Sequence, residues 1–352
     1  MKFFVRTLYV ILITFILFGV TYFSSYTTSK IRKKNILNIF VWGDFFPEEV
    51  LENFEKETGI KLNVNFYTCN EELILKLESS DGVGYDIVFP SDYGVTTLRQ
   101  KGLLKPLDKS KFDFMDKIEP YLLNRPFDPN NDFTIPYFWE VYGMAYEKSK
   151  IDSTYKASLK DLFEGDQKVI MTADPVEAVD FASHYLFGYK KYLTSDEKKS
   201  VIDLLKKQKK HVEAYTDDRV QYMISSENCP LAILRVSFFW KNYEDLSHLK
   251  LLLPKEGIFT SIENVALSKN AEHLDAAYQL INYIYKPEIM AKQLDLSPLF
   301  PACQETLLHT NLMELERYPE LFKEIQRRND FFFTHYVIPQ ESIREAWVEI
   351  KS

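Results

Sequence analysis

The chain has 352 residues, 46% of them hydrophobic and 27% charged, which is enough for two packed domains and ordinary for a soluble globular protein. Its formal net charge is −8, and the first 34 residues carry Lys2, Arg6, Lys30, Arg32, Lys33 and Lys34 without an acid, so the body is more acidic than the total suggests. An acidic body argues against nucleic acid as a partner and favours a cationic one.

The N-terminal segment, 1–34, predicts targeting. An apolar run from Leu8 to Val20 extends to Phe23, longer than a usual signal-peptide core and slightly short for a comfortable membrane span. Basic residues flank both ends, so the segment reads either as a cleaved signal peptide or as an inner-membrane anchor with a basic linker.

From Ile36 the chain alternates strands and helices. Ile36–Trp42 is a predicted strand, Gly43–Pro47 a turn and Glu48–Thr58 a helix, with Pro47 at its start and Gly59 at its end. Ile60–Phe66 follows as a strand, Asn70–Ser79 as a helix, and Ile87-Val88-Phe89 as an uncharged strand of the kind buried on both faces of a parallel sheet. Pro90 stops it, Ser91, Asp92 and Tyr93 arrive together, and a helix is predicted over Val95–Leu104. Polar groups between a buried strand and a helix sit at the carboxyl edge of an α/β sheet, where ligands bind.

Residues 124–139, with three prolines and several Asp and Asn, read as a loop, and Val141–Tyr146 as the strand at a first crossing between lobes. Lys168–Met171 is a strand and Pro175–Phe187 a helix whose first turn holds Asp174 and Glu177. Acids there complement the helix dipole or cap its end, or else face a ligand. Pro230–Leu234 is a strand followed at once by Arg235; Leu249–Leu253 is another; Ile262–Leu267, with Glu263, begins a return crossing, and the chain from Glu305 is mainly helical.

No G-x-S-x-G, P-loop, H-E-x-x-H or C-x-x-C occurs, and neither the six histidines nor Cys69, Cys229 and Cys303 have metal-ligand spacing. Neither catalysis nor a cofactor nor a metal is expected. What recurs is a polar or aromatic group just beyond a strand: Trp42 to Phe45, Ser91 to Tyr93, Asp174 to Glu177, Arg235 and Glu263. That pattern describes an α/β protein with a small-ligand cleft between two lobes. The lobes are expected at 35–140 with 262–308 and at 141–261 with 309–352.

Three stretches carry a resemblance: Tyr85-Asp-Ile-Val-Phe-Pro-Ser91, Arg125-Pro-Phe-Asp-Pro-Asn-Asn-Asp-Phe-Thr-Ile-Pro136 and Phe54-Glu-Lys-Glu-Thr-Gly-Ile60. With them the chain resembles, from about Leu37 to about Leu308, the spermidine/putrescine-binding periplasmic proteins of bacterial polyamine ABC importers. The resemblance implies an α/β, type II-like periplasmic-binding-protein fold and a monomeric periplasmic receptor, tied to the membrane only if the N-terminal segment is uncleaved. It also implies a polyamine ligand and, as partners, a membrane permease with its cytoplasmic ATPase.

A polyamine is a methylene chain bearing ammonium groups, so its site alternates carboxylates with aromatic walls. On the family's pattern those places fall on Trp42, Asp44, Phe45, Ser91, Tyr93, Asp174 and Glu177, with Glu263 replacing an aspartate. Arg235 and Ser261 stand where the family has tryptophans. Arg235 either points away, pairs with Glu177 or Glu263, or receives a ligand carboxylate. The last case gives one alternative function, a same-fold receptor for another small molecule such as an amino acid; a second is a retained membrane-anchored receptor without a transport role.

Overall fold

The structure is a computed structural model. It describes residues 14–16, 18–19, 36–43, 45–152, 154–216, 220–224, 229–241, 246–296, 299–311, 318–328 and 330–352. Most of the N-terminal segment, and Asp44, lie outside them. Among the described residues no helix is long and apolar enough to cross a membrane.

The first lobe starts with β1 (Ile36–Trp42), α1 (Glu48–Thr58), β2 (Lys61–Tyr67), α2 (Asn70–Ser80), β3 (Ile87–Val88) and α3 (Asp92–Gln100). Both β2 and β3 run parallel to β1, one on each side, which puts the carboxyl ends of β1 and β3 together. Gly59, at φ 68°, closes α1 in a left-handed turn that only glycine adopts without strain. Gly94 is required by a close approach, because a Cβ there would strike Asn70 Oδ1, the atom that accepts the Ser91 N–H at 3.2 Å.

After the two-residue β4 (Leu104–Lys105), the loop over 124–133 is knitted by a buried acid. Asp128, 1% exposed, accepts from the N–H groups of Asp132, Phe133 and Thr134 at 3.2, 2.9 and 2.9 Å and from the Thr134 hydroxyl at 2.9 Å. These bonds launch β5 (Thr134–Glu147), a strand of 14 residues in which only Glu147 is not buried.

Strand β5 begins seven residues before the predicted start at Val141, because Pro136, read as a loop signal, is accommodated in the strand. The pairing with the partner strand is irregular there: Glu263 faces Phe138 and Asn264 faces Pro136, which leaves Tyr137 as an extra residue in β5. A bulge is one of the few places where a sheet takes proline.

The second lobe adds α4 (Leu159–Phe163), β6 (Val169–Met171), α5 (Pro175–Phe187), α6 (Ser195–Gln208), β7 (Val212–Tyr215), α7 (Val220–Ile224), β8 (Leu231–Arg235), α8 (Val236–Lys241) and β9 (Leu249–Leu252). Here β6 is parallel to both β7 and β8, so the ends of β6 and β8 also lie together. The chain returns along β10 (Ile258–Ser268). It then forms α9 (Leu274–Ile284), α10 (Pro287–Leu296), β11 (Phe300–Pro301), α11 (Tyr318–Arg327), β12 (Phe331–Phe333) and α12 (Gln340–Lys351).

Two long antiparallel strands join the lobes. Residues 134–141 of β5 pair with β10, and residues 142–147 pair with β8 and β9. The overall order is β2-β1-β3-β10-β5-β8-β6-β7, so one curled sheet serves two cores. One core gathers Phe54, Leu73, Val88, Tyr137 and Ile281; the other gathers Met144, Phe163, Phe181, Leu205 and Ile343. The C-terminal stretch was read as mainly helical, but β12 interrupts it, pairing in parallel with Ile258–Thr260 at the crossing.

Candidate functional site

Four strand ends and the middle of a fifth strand converge. Trp42 closes β1, Ser91 and Tyr93 follow β3, Asp174 and Glu177 follow β6, Arg235 closes β8, and Glu263 lies in β10. Three of these residues join directly. The Trp42 indole N–H donates to Glu263 Oε2 at 2.8 Å, and the Ser91 hydroxyl donates to Glu263 Oε1 at 2.7 Å. Trp42 is partly exposed and leans on Tyr67, ring centroids 4.6 Å apart.

A second group forms at the start of α5. Asp174 caps the helix through Oδ1, which accepts from Val176 N–H at 2.7 Å, and its other oxygen accepts from the Tyr93 hydroxyl at 3.2 Å. Both sequence readings of Asp174 are therefore compatible, since one oxygen caps and the other faces Tyr93. Glu177, 2% exposed, accepts from the Thr172 hydroxyl at 2.6 Å and from the Tyr142 hydroxyl in a short bond.

Arg235 links this group to a further acid. It donates to Glu177 Oε1 at 2.9 Å and to the Tyr142 oxygen at 2.9 Å, and its third nitrogen lies 4.0 Å from Glu140. The guanidinium thus pairs with Glu177, one of the arrangements the sequence left open. Phe45 packs in an aromatic cluster with Phe46, Phe89, Tyr137 and Phe138 while remaining partly exposed. Ser261 is buried opposite Glu140.

Sequence reasoning missed Glu140, Tyr142, Thr172 and Ser237. The Ser237 N–H donates to Glu140 at 3.1 Å. Glu140 had a legible signal, a lone acid in the run TIPYFWEVYGMAY, where nothing else is charged. The others are ordinary strand and helix residues whose role depends on what they face.

The electrostatics are those of crowded acids. Burial pushes Glu263 up to about 7, against the hydrogen bond from Ser91, the charge of Arg235 and the indole N–H. Burial, then the neighbouring Glu177 charge, pushes Asp174 up to about 7. Burial also raises Glu140, with Arg235 opposing. Asp92, wholly enclosed behind Ser91, is held far above the carboxylate range by burial. Four carboxyl groups (Glu140, Asp174, Glu177 and Glu263) therefore surround one guanidinium, a set suited to further positive charge.

Two recesses lie elsewhere, about 460 Å³ beside Pro230 and His248 and about 410 Å³ beside Phe54 and Tyr283. Neither is lined by Trp42, Ser91, Tyr93, Asp174, Glu177, Arg235 or Glu263, so the candidate site is located by its chemistry. Among the described residues no group of three or more His, Cys, Asp or Glu is arranged to hold a metal ion.

Comparison with known proteins gives a consistent picture. The bacterial extracellular solute-binding protein family matches residues 49–323. The spermidine/putrescine-binding periplasmic protein of Escherichia coli K12 is 30% identical over 263 residues, 74% of this chain and 75% of its own. The putrescine-binding periplasmic protein SpuD of Pseudomonas aeruginosa is 28% identical over 343 residues, 90% of this chain and 92% of its own.

Among solved structures, the Streptococcus pneumoniae spermidine/putrescine ABC transporter substrate-binding protein PotD superposes with a TM-score of 0.74 at 23% identity, covering 90% of this chain and 98% of that one. The fold is shared more widely. The binding protein MotA of Agrobacterium tumefaciens B6, solved with glucopine, superposes at 0.66 with 15% identity, over 90% of this chain and 99% of its own. The chain belongs to the bacterial extracellular solute-binding proteins and, among them, to the family of the spermidine/putrescine-binding periplasmic proteins.

Proposed function

We propose that this chain captures a polyamine, spermidine or putrescine, outside the inner membrane and delivers it to an ABC permease powered by a cytoplasmic ATPase. It acts as a monomeric receptor in the periplasm and not as an enzyme, with the N-terminal segment serving for export or as an anchor. The lobes are 35–140 with 262–308 and 141–261 with 309–352, and the cleft between them is the site.

The observation that carries this reading is the convergence of Glu140, Asp174, Glu177 and Glu263 on one partly exposed recess at the strand ends. A cleft with that excess of acid is costly when empty and is relieved by ammonium groups. Asp174 and Glu263 hold the ligand's nitrogens, and Asp44 adds a further acid. Trp42 and Tyr93 lie along its methylenes, Phe45 backs them, and Ser91 orients Glu263. Arg235, engaged by Glu177, favours this over the amino-acid reading, which needs a guanidinium open to a ligand carboxylate.

A thermal-shift screen of putrescine, cadaverine, spermidine and the common amino acids tests the proposal. Amines are expected to raise the melting temperature in proportion to the logarithm of their concentration above Kd. A shift with amino acids and none with any amine would contradict it.

A further inference from the structure

Arg235 leaves β8 at its carboxyl end with its side chain 39% exposed, inside the candidate cleft. Nε donates to the Tyr142 oxygen and a terminal nitrogen to Glu177, both at 2.9 Å, while the guanidinium carbon stands 5.6 Å from the centre of the Tyr142 ring. The second oxygen of Glu177 accepts from Thr172 at 2.6 Å. Carboxylate, cation and aromatic face thus make, within the chain, the contacts that an ammonium group of a polyamine would make.

The other acids accept their hydrogen bonds from neutral donors. Asp174 Oδ2 has the Tyr93 hydroxyl, and Glu263 has the Trp42 indole and the Ser91 hydroxyl. Such neutral donors do not cancel a carboxylate's charge, so each acid, when ionised, can receive a ligand nitrogen. A guanidinium cannot give up its proton to accommodate a neighbouring cation.

We propose that Arg235 is a resident substitute for an ammonium group, so that the cleft selects compact α,ω-diamines over triamines. The inference rests on the polyamine reading above. A third ammonium would meet a fixed like charge in a space from which water is partly excluded, where repulsion is strong.

Competition calorimetry with putrescine, cadaverine, spermidine and γ-aminobutyrate, on the parent, Arg235→Gln and Arg235→Trp, provides the test. The parent is expected to bind a diamine at least as tightly as spermidine. Both variants free Glu177 for a ligand nitrogen, so the spermidine-to-putrescine affinity ratio should rise about tenfold, the size of one charge-assisted hydrogen bond gained.

Two substitutions guard against one failing to fold. Glu177→Gln, which strips the guanidinium of its acid, is expected to weaken spermidine more than putrescine. An unchanged ratio in folded Arg235 variants overturns this inference and leaves the polyamine reading standing. A parent that binds no amine overturns both. Binding of γ-aminobutyrate by the parent, abolished in Arg235→Gln, would put a ligand carboxylate on the guanidinium and overturn it as well.

Discussion

At the scale of single residues, Asp174 does two things with two oxygens, and they can be separated. One oxygen caps α5 at 2.7 Å from the Val176 nitrogen; the other faces Tyr93. Asparagine caps a helix about as well as aspartate. Asp174→Asn is therefore expected to keep the melting temperature within a few degrees while weakening a bound polyamine by roughly 1.5–3 kcal/mol, the range for hydrogen bonds to charged groups. Calorimetry and a melt on the same sample check both halves. Trp42→Phe keeps an aromatic face but loses the N–H that holds Glu263 at 2.8 Å, so it should weaken binding and remove a ligand-dependent change in tryptophan emission.

The raised acids give a pH dependence with a definite sign. Glu263 and Asp174 are both pushed up to about 7, while unfolded carboxyls ionise near 4. The folded state therefore binds protons more tightly between those values, and the stability these groups contribute is present below the unfolded pKa and lost as pH rises through about 7. Glu263→Gln should accordingly be relatively more stable than the parent at pH 8, with the difference closing as pH falls to 5.5, as chemical denaturation will measure. Binding runs the other way. An ammonium ligand needs the ionised acids, so affinity for a polyamine should climb from pH 6 to pH 8.

At the scale of elements, the 124–133 loop is built around Asp128, whose buried carboxyl takes three backbone N–H groups and a hydroxyl. Asp128→Ala leaves those donors without an acceptor, at about 1–3 kcal/mol for each group that water cannot reach. A loss of at least about 2 kcal/mol in urea unfolding is expected, because β5 starts from this loop. The elements with strong local punctuation were legible. Strand 36–42 and helix 48–58 have the bounds the sequence indicated, set by apolar patterning, Pro47 and Gly59. Strand β5 was half legible, since its first seven residues are held by pairing with β10, far away in sequence, across a bulge at Tyr137. The three phenylalanines of β12 carry no alternation, and only their pairing with β10 makes them a strand.

The candidate site's strand-end positions were legible in the sequence, and its pairings were not. That Ser91 would bond Glu263 across 172 positions, or Arg235 would choose Glu177 across 58, is decided by the sheet order and not by any local pattern.

At the scale of the whole molecule, β5 and β10 are the long paired strands at the proposed crossings between the lobes. The Tyr93–Asp174 contact spans the proposed cleft between them. Ligand capture should close the lobes, so small-angle scattering is expected to show a smaller radius of gyration under saturating putrescine, and an unchanged radius would argue for a rigid site.

The most direct test of the central claim is calorimetric titration of putrescine into the parent and into the double variant Asp174→Asn/Glu263→Gln at pH 8. Saturable one-to-one binding by the parent, weakened by at least about 3 kcal/mol in the double variant, is the expected result for two acids that each hold an ammonium. Equal affinity in the two proteins would contradict it and place the ligand, if any, somewhere other than the carboxylate cleft.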